Sequence, residues 1–144
     1  MAKILAVCTS TKKGTSKQDI REAYIEENYG VKNDAHADSE THRQVSLIAI
    51  ESINKMKELG FDVKPGDYAE NLTTEGINVC GLPVGTRVHV GDEVVLEISQ
   101  IGKECHTKCA IYRKMGQCIM PEEGVFAKVI HGGTVRTGDE IREI

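Results

Sequence analysis

Arg87-Val-His-Val-Gly-Asp-Glu-Val94 and Thr134-Val-Arg-Thr-Gly-Asp-Glu-Ile141 share one pattern. In each, alternating residues run into Gly-Asp-Glu and then a β-branched apolar residue. Alternation of period two marks a strand with one buried face, and Gly-Asp is tight-turn chemistry. The same turn is therefore expected at two corners of one sheet. Seen only twice, the pattern is a local echo and not a repeat architecture.

Outward from the echo, residues 87–90 and 93–98 alternate like paired strands about Gly91-Asp92. Residues 3–8, 44–48, 72–74 and 125–130 give further short strands, the last broken by Gly132-Gly133. Ile50, Ile53, Met56, Lys57 and Leu59 follow a helical rhythm up to Gly60, a good C-terminal stop, and Glu51 and Lys55 have the spacing of a supporting pair. Residues 107–115 predict one or two helical turns closed by Gly116, and residues 19–29 fit an edge strand or a short helix. Residues 11–17 and 64–71 are turn-rich loops. Many short strands with Gly turns and one clear helix predict a β-rich α+β fold, a β-barrel with a few peripheral helices. Closing the sheet also removes the edges that invite aggregation.

The 144 residues suit one domain with a real core. Only 4% are aromatic and Trp is absent, so Val, Ile, Leu and Ala must fill that core. The net charge is -4 with no basic block, which argues against a nucleic-acid partner. The five-residue apolar run after Lys3 is too short for a signal peptide or a membrane span, so the cytoplasm is the expected location. Five cysteines, three of them between 105 and 118, do not fit a secreted disulfide framework. Reduced thiols with a metal, redox or sulfur-handling role fit better.

Gly102-Lys-Glu-Cys-His-Thr-Lys-Cys-Ala110 is the stretch with the strongest chemistry. Cys105 has Lys103 on one side and His106 and Lys108 on the other. Positive neighbours, and a helix beginning near Thr107, favour the thiolate, which is the nucleophile and the metal ligand. Cys105, Cys109 and Cys118, with His106 or His131, offer an alternative tetrahedral zinc site, although the spacing is Cys-x3-Cys without a second matched pair. Cys109 is equally a resolving thiol for an oxidised or persulfidated Cys105. Cys8 and Cys80 lie in apolar contexts and receive no role.

Asp34, His36, His42 and Arg43 form a second polar cluster. Asp-x-His suits a metal, and Arg suits a phosphate or carboxylate; a loop that caps its own backbone explains the same residues. Asp67, Glu70 and Asn71 either orient a polar ligand or solvate a turn. Gly124, Gly132 and Gly133 suit strand ends better than a phosphate cradle.

Taken in order, six segments resemble the MOSC domain, named for the C-terminal domain of molybdenum-cofactor sulfurases. They are Asn33-Asp-Ala-His-Ala37, His42-Arg-Gln-Val-Ser-Leu-Ile48, Pro65-Gly-Asp-Tyr-Ala-Glu-Asn-Leu-Thr-Thr-Glu-Gly76, Leu82-Pro-Val-Gly-Thr-Arg-Val-His-Val-Gly91, Gly102-Lys-Glu-Cys-His106, and Gly124-Val-Phe-Ala-Lys-Val-Ile-His-Gly-Gly133 with Val135-Arg-Thr-Gly-Asp139. Length and the Gly-Lys-x-Cys-His form resemble the short stand-alone bacterial members, a single MOSC-like domain over residues 1–144. The resemblance implies a MOSC-type β-barrel and a functional Cys105, either a persulfide carrier or a ligand to molybdenum of a molybdopterin-type cofactor. It further implies that His36, Arg43 and Asn71 line the same pocket, with Arg43 and Lys103 binding an anionic small molecule and His36 and His106 tuning protonation. Asn33 and Asp38 stand where the family usually has glycine, and Glu104 where larger members often have proline; asparagine tolerates left-handed backbone angles. A molybdenum-cofactor or sulfur-donor protein is the expected partner. The alternatives are a zinc-binding interaction module without catalysis, and a component of a molybdenum-dependent reductase of N-hydroxylated substrates.

Overall fold

A computed structural model describes residues 2–12, 16–35, 37–102 and 124–144. Strands dominate: β1 (Lys3–Thr9), β2 (Gln18–Asp19), β3 (Glu22–Glu26), β4 (Gly30–Val31), β5 (Val45–Ala49), β6 (Leu72–Glu75), β7 (Arg87–Val90), β8 (Val94–Ile101), β9 (Val125–His131), β10 (Gly133–Arg136) and β11 (Ile141–Glu143). One α-helix, α1 (Ile50–Glu58), and a 3-10 turn at Val79–Gly81 complete the described elements. The larger sheet has the order β11-β7-β8-β9-β5-β6-β1-β2, and β10-β3-β4 form a smaller one. The sheet curls until the residues leading into β11, at one end, meet β1, the strand next to the other end. Lys3 bridges Glu140, the Ile4 N–H donates to the Asp139 carbonyl (2.8 Å), and the Gly138 N–H donates to the Ile4 carbonyl (2.7 Å). The expected β-rich, barrel-like architecture is present.

β5 and β6 are the parallel pair, Leu47 opposite Leu72. Parallel neighbours need a crossover, and α1 supplies it. This is why all five β5 residues are buried: one face meets the barrel interior and the other meets α1. Ile48, Ile53, Met56, Val63, Tyr68 and Phe126 pack as a layer under the helix, while Ile4, Leu47, Leu72, Leu96 and Ile98 belong to the main core. The helix ends as its sequence predicts, with Gly60 at φ +98°.

The echoed turns lie side by side, but they do different work. The first closes a true hairpin, with Val90 opposite Val94. The second carries the chain from β10 in the small sheet to β11 in the large one. Their likeness is local: Gly91 and Gly138 both take positive φ (+64° and +98°), which an L side chain resists, and the Gly91 N–H donates to the Glu140 carbonyl at 2.8 Å. Within residues 19–29 the regular structure is strand and not helix, at Asp19 in β2 and at Glu22–Glu26 in β3. β3 buries Ala23 and Ile25 and exposes Glu22, Tyr24 and Glu26, an alternation that pairs with β10. β8 runs three residues beyond the expected end at Ile98, through a bulge described below. The helical turns expected at 107–115 lie outside the described residues.

Candidate functional site

Arg43 stands just before β5, fixed on its C-terminal side by Gln44. Gln44 is wholly buried; its amide donates to Asn28 Oδ1 (3.1 Å) and to the Thr41 carbonyl (3.0 Å), and its oxygen accepts the Val129 N–H (3.0 Å). Arg43 itself is exposed. Its Nε–H donates to Gln100 Oε1 at 2.9 Å, and its guanidinium carbon lies 5.5 Å from the centre of the Phe126 ring, within cation–π range. The Ser99 hydroxyl donates to the His42 carbonyl (2.8 Å), and Gln100 Nε2 donates to the Gly102 carbonyl (2.8 Å). The Gly102 N–H in turn donates to the Gly124 carbonyl at 2.6 Å. The chain therefore leaves and returns at one neck beside Arg43, and Cys105 follows Gly102 by three residues in sequence.

A second polar cluster is buried against β1. Lys17 Nζ and Asp34 Oδ1 are 2.7 Å apart, with neither side chain exposed. The Ser10 N–H donates to Asp34 Oδ1 (3.1 Å), and Lys17 Nζ also reaches Ser10 Oγ (3.3 Å). Burial alone would push the Asp34 carboxyl up, but hydrogen bonds from Lys17, Ser10 and Asn71, with the Lys17 charge, together hold it below its ordinary value. Asn33 adopts φ +70°, so asparagine does fill the left-handed position where the MOSC pattern has glycine. Asn71 is wholly buried: its oxygen accepts the Ser46 N–H (3.0 Å) and hydroxyl (3.2 Å), and its nitrogen donates to the Cys8 carbonyl (3.1 Å).

Glu70 is also fully buried. Its Oε2 accepts from the Gly66 N–H (2.9 Å) and the Thr73 hydroxyl (2.7 Å), while Oε1 has no hydrogen-bond partner among the described residues. Burial raises its pKa, and those two hydrogen bonds only partly oppose the shift. Burial, with the Glu70 charge adding to it, pushes the Cys8 thiol far up, so Cys8 stays protonated and unreactive. A cavity of about 320 Å³, sharing Ser10 with the Lys17–Asp34 pair, carries four hydroxyl side chains on its wall, Thr9, Ser10, Thr11 and Ser16, together with Lys12.

Of the cofactor-pocket residues expected from sequence, Arg43 and Asn71 fall among the described ones, as do Asp34, His42, Asp67, Glu70 and His131 from the other candidates, and Arg43 and Asn71 join different clusters. Arg43 belongs to the neck at Gly102, and Asn71 to the buried network with Asp34. His36, Lys103, Cys105 and His106, with Cys109 and Cys118, lie outside the described residues. His131, offered as a zinc ligand, places Nδ1 2.7 Å from the Glu93 carbonyl. Among the described residues no group of three or more His, Cys, Asp or Glu side chains converges on a metal site, and no helix is long and apolar enough to cross a membrane. Sequence reasoning missed Lys17 and Gln100. A lysine in a polar loop gives no signal of burial, and a glutamine at a strand end gives none of its aim.

The curled sheet with its parallel β5–α1–β6 crossover defines a barrel-like, strand-dominated protein with Arg43 at the neck where Gly102 meets Gly124. A family model described as "MOSC domain" matches residues 32–142, and the chain belongs to that family, which is associated with molybdenum-cofactor biology. Among solved structures, the YuaD protein from Bacillus subtilis is similar at TM-score 0.79 and 18% identity, over 98% of this chain and 94% of that one. YiiM from Geobacillus stearothermophilus is similar at TM-score 0.72 and 14% identity, over 100% and 75% of the two chains. YiiM from Escherichia coli gives 0.64 and 16%, over 99% and 69%. At such identities the likeness is one of fold. No curated protein sequence matches the chain.

Proposed function

We propose that this MOSC protein handles molybdenum cofactor or sulfur, with the Cys105 thiolate as persulfide carrier or molybdenum ligand and Arg43 as the anchor for an anionic group. The observation that carries the reading is the Arg43 corner. Its guanidinium is held through Nε and over Phe126 at the neck from which the Cys105 segment departs, and its outer edge faces solvent. A planar guanidinium edge suits phosphate, and the separate hydroxyl-lined cavity beside Lys12 offers donors of the same chemistry. These donors fit the phosphate end of a molybdopterin-type cofactor, which when bound would supply redox chemistry at the metal. Lys103 and His106 flank the thiol and favour its ionised form.

In the sulfur-carrier form of the reading, the Cys105 thiolate attacks the terminal sulfur of a donor protein's persulfide. One S–S bond forms, the donor cysteine leaves as thiolate, and nothing is oxidised or reduced overall. A cytoplasmic donor protein is the partner this chemistry requires. Intact-mass measurement of the protein as isolated, before and after cyanide, tests it. One cyanide-labile sulfur or a bound pterin is expected in the wild type and neither in Cys105→Ser; loading that persists in the variant rejects the proposal. A tightly held zinc with no alkylatable thiol would favour the zinc module instead.

A further inference from the structure

We infer that Gln100 is the positioning residue that turns Arg43 into a clamp for a tetrahedral oxyanion of the phosphate class. The inference deepens the proposed role of Arg43 and rests on it. Three observations carry it. First, the β8–β9 register slips at Ser99: Ile98 stands opposite Ala127, yet Gln100 stands opposite Phe126. Such a bulge bends the strand and re-aims its side chains. Here it sends Ser99 to the His42 carbonyl and Gln100 to Arg43.

Second, the Gln100 amide is engaged at both ends. Its oxygen accepts Arg43 Nε–H at 2.9 Å, and its nitrogen donates to the Gly102 carbonyl at 2.8 Å. The reverse amide orientation would set donor against donor and oxygen against oxygen, so the two contacts fix one arrangement. With Nε held and the Phe126 ring at the guanidinium face, the plane of the fork is set and its Nη edge points away from the anchor. A fork oriented in advance loses less freedom on binding phosphate.

Third, the partner is neutral. Arg87, Arg136 and Arg142 each face a carboxylate, on Glu97, Glu22 and Glu140 respectively. Arg43 is held by an amide, which orients the guanidinium without cancelling its charge. Glutamate at position 100 would keep the contact to Arg43 Nε–H, lose the bond to the Gly102 carbonyl and cancel the attraction for an anion.

The test is titration of the full-length protein with inorganic phosphate at fixed ionic strength, followed by nitrogen-15 NMR that includes the Arg43 Nε–H resonance. Arg43→Ala should weaken phosphate binding by about tenfold, the scale of one lost charge-assisted interaction. Gln100→Glu should weaken it to a similar degree while the Arg43 Nε–H stays protected from exchange. Gln100→Ala should weaken it by roughly threefold and leave that proton in fast exchange, a signature that general destabilisation would not confine to one side chain. Wild-type affinity in both Gln100 variants, with affinity lost in Arg43→Ala, overturns the inference alone. Wild-type affinity in Arg43→Ala overturns the anion-binding reading of Arg43 itself.

Discussion

Lys17 and Asp34 are both withdrawn from water and bonded to each other. Taking two charges out of water costs several kcal/mol, so the pair is stable only as a pair. Asp34→Asn or Lys17→Met should each destabilise the fold by about 3–5 kcal/mol, because each leaves a buried group without its counter-charge. The double variant Lys17→Met with Asp34→Leu should be more stable than either single change, a comparison that urea midpoints make directly. The pH dependence follows from the same contact. The Asp34 carboxyl is held below its ordinary value of about 3.9. Its contribution is therefore complete above that value and is lost as pH falls towards the folded-state pKa. The urea midpoint of the wild type should drop more steeply below about pH 4 than that of the double variant. Glu70 has the opposite sign. Its pKa is raised by burial, so the fold prefers the neutral acid. That contribution is complete below the ordinary carboxylate value of about 4.3 and fades as pH rises through the raised one. Glu70→Gln keeps an acceptor for Gly66 and Thr73 and never ionises. Its stability relative to wild type should climb with pH; a difference that stays flat from acid to alkali would refute the assignment.

At the scale of the element, most strands were legible and their partners were not. β1, β5 and β9 carry short apolar runs bounded by turn residues, β7 carries an alternation, and α1 carries both its rhythm and its stop. Period and punctuation are local properties, so sequence reports them. The sheet change between β10 and β11 is not local, and neither is the bulge at Ser99. Both depend on what lies across the ladder. The same reason hid Lys17: its loop is polar by composition, but the carboxylate that buries it stands seventeen positions away. Asn71 was legible as a loop residue, and only the coordinates show its amide spent on Ser46 and the Cys8 carbonyl. The crossover is where the element argument can be tested. Ile53 is wholly buried on α1 and packs in the layer with Ile48 and Phe126. Ile53→Ala should cost about 2–5 kcal/mol. Phe126 also lies against the Arg43 guanidinium, so loosening this layer should raise the exchange rate of the Arg43 Nε–H.

For the molecule as a whole, the decisive step is closure. β11 pairs with β7 on one side, and the residues leading into it bond to β1 on the other. The residues leading into this end strand thus tie it to β1, the strand next to the sheet's other end. The anchor of β11 is Ile141, 1% exposed, while Glu143 on the same strand is exposed. If closure is a cooperative part of the fold, losing the anchor must be felt on both sides of the seam at once. Ile141→Ala should destabilise the protein by about 2–5 kcal/mol, against no more than about 0.5 kcal/mol for Glu143→Ala. Hydrogen exchange gives the sharper reading. In Ile141→Ala the Ile4 and Gly138 amides, which bond across the seam, should lose protection together with the β11 amides. β5, covered by α1 and flanked by β6 and β9, should keep its protection. Loss confined to β11, with Ile4 still protected, would mean that β1 holds its place without the seam and that the sheet's curl is set by its twist alone.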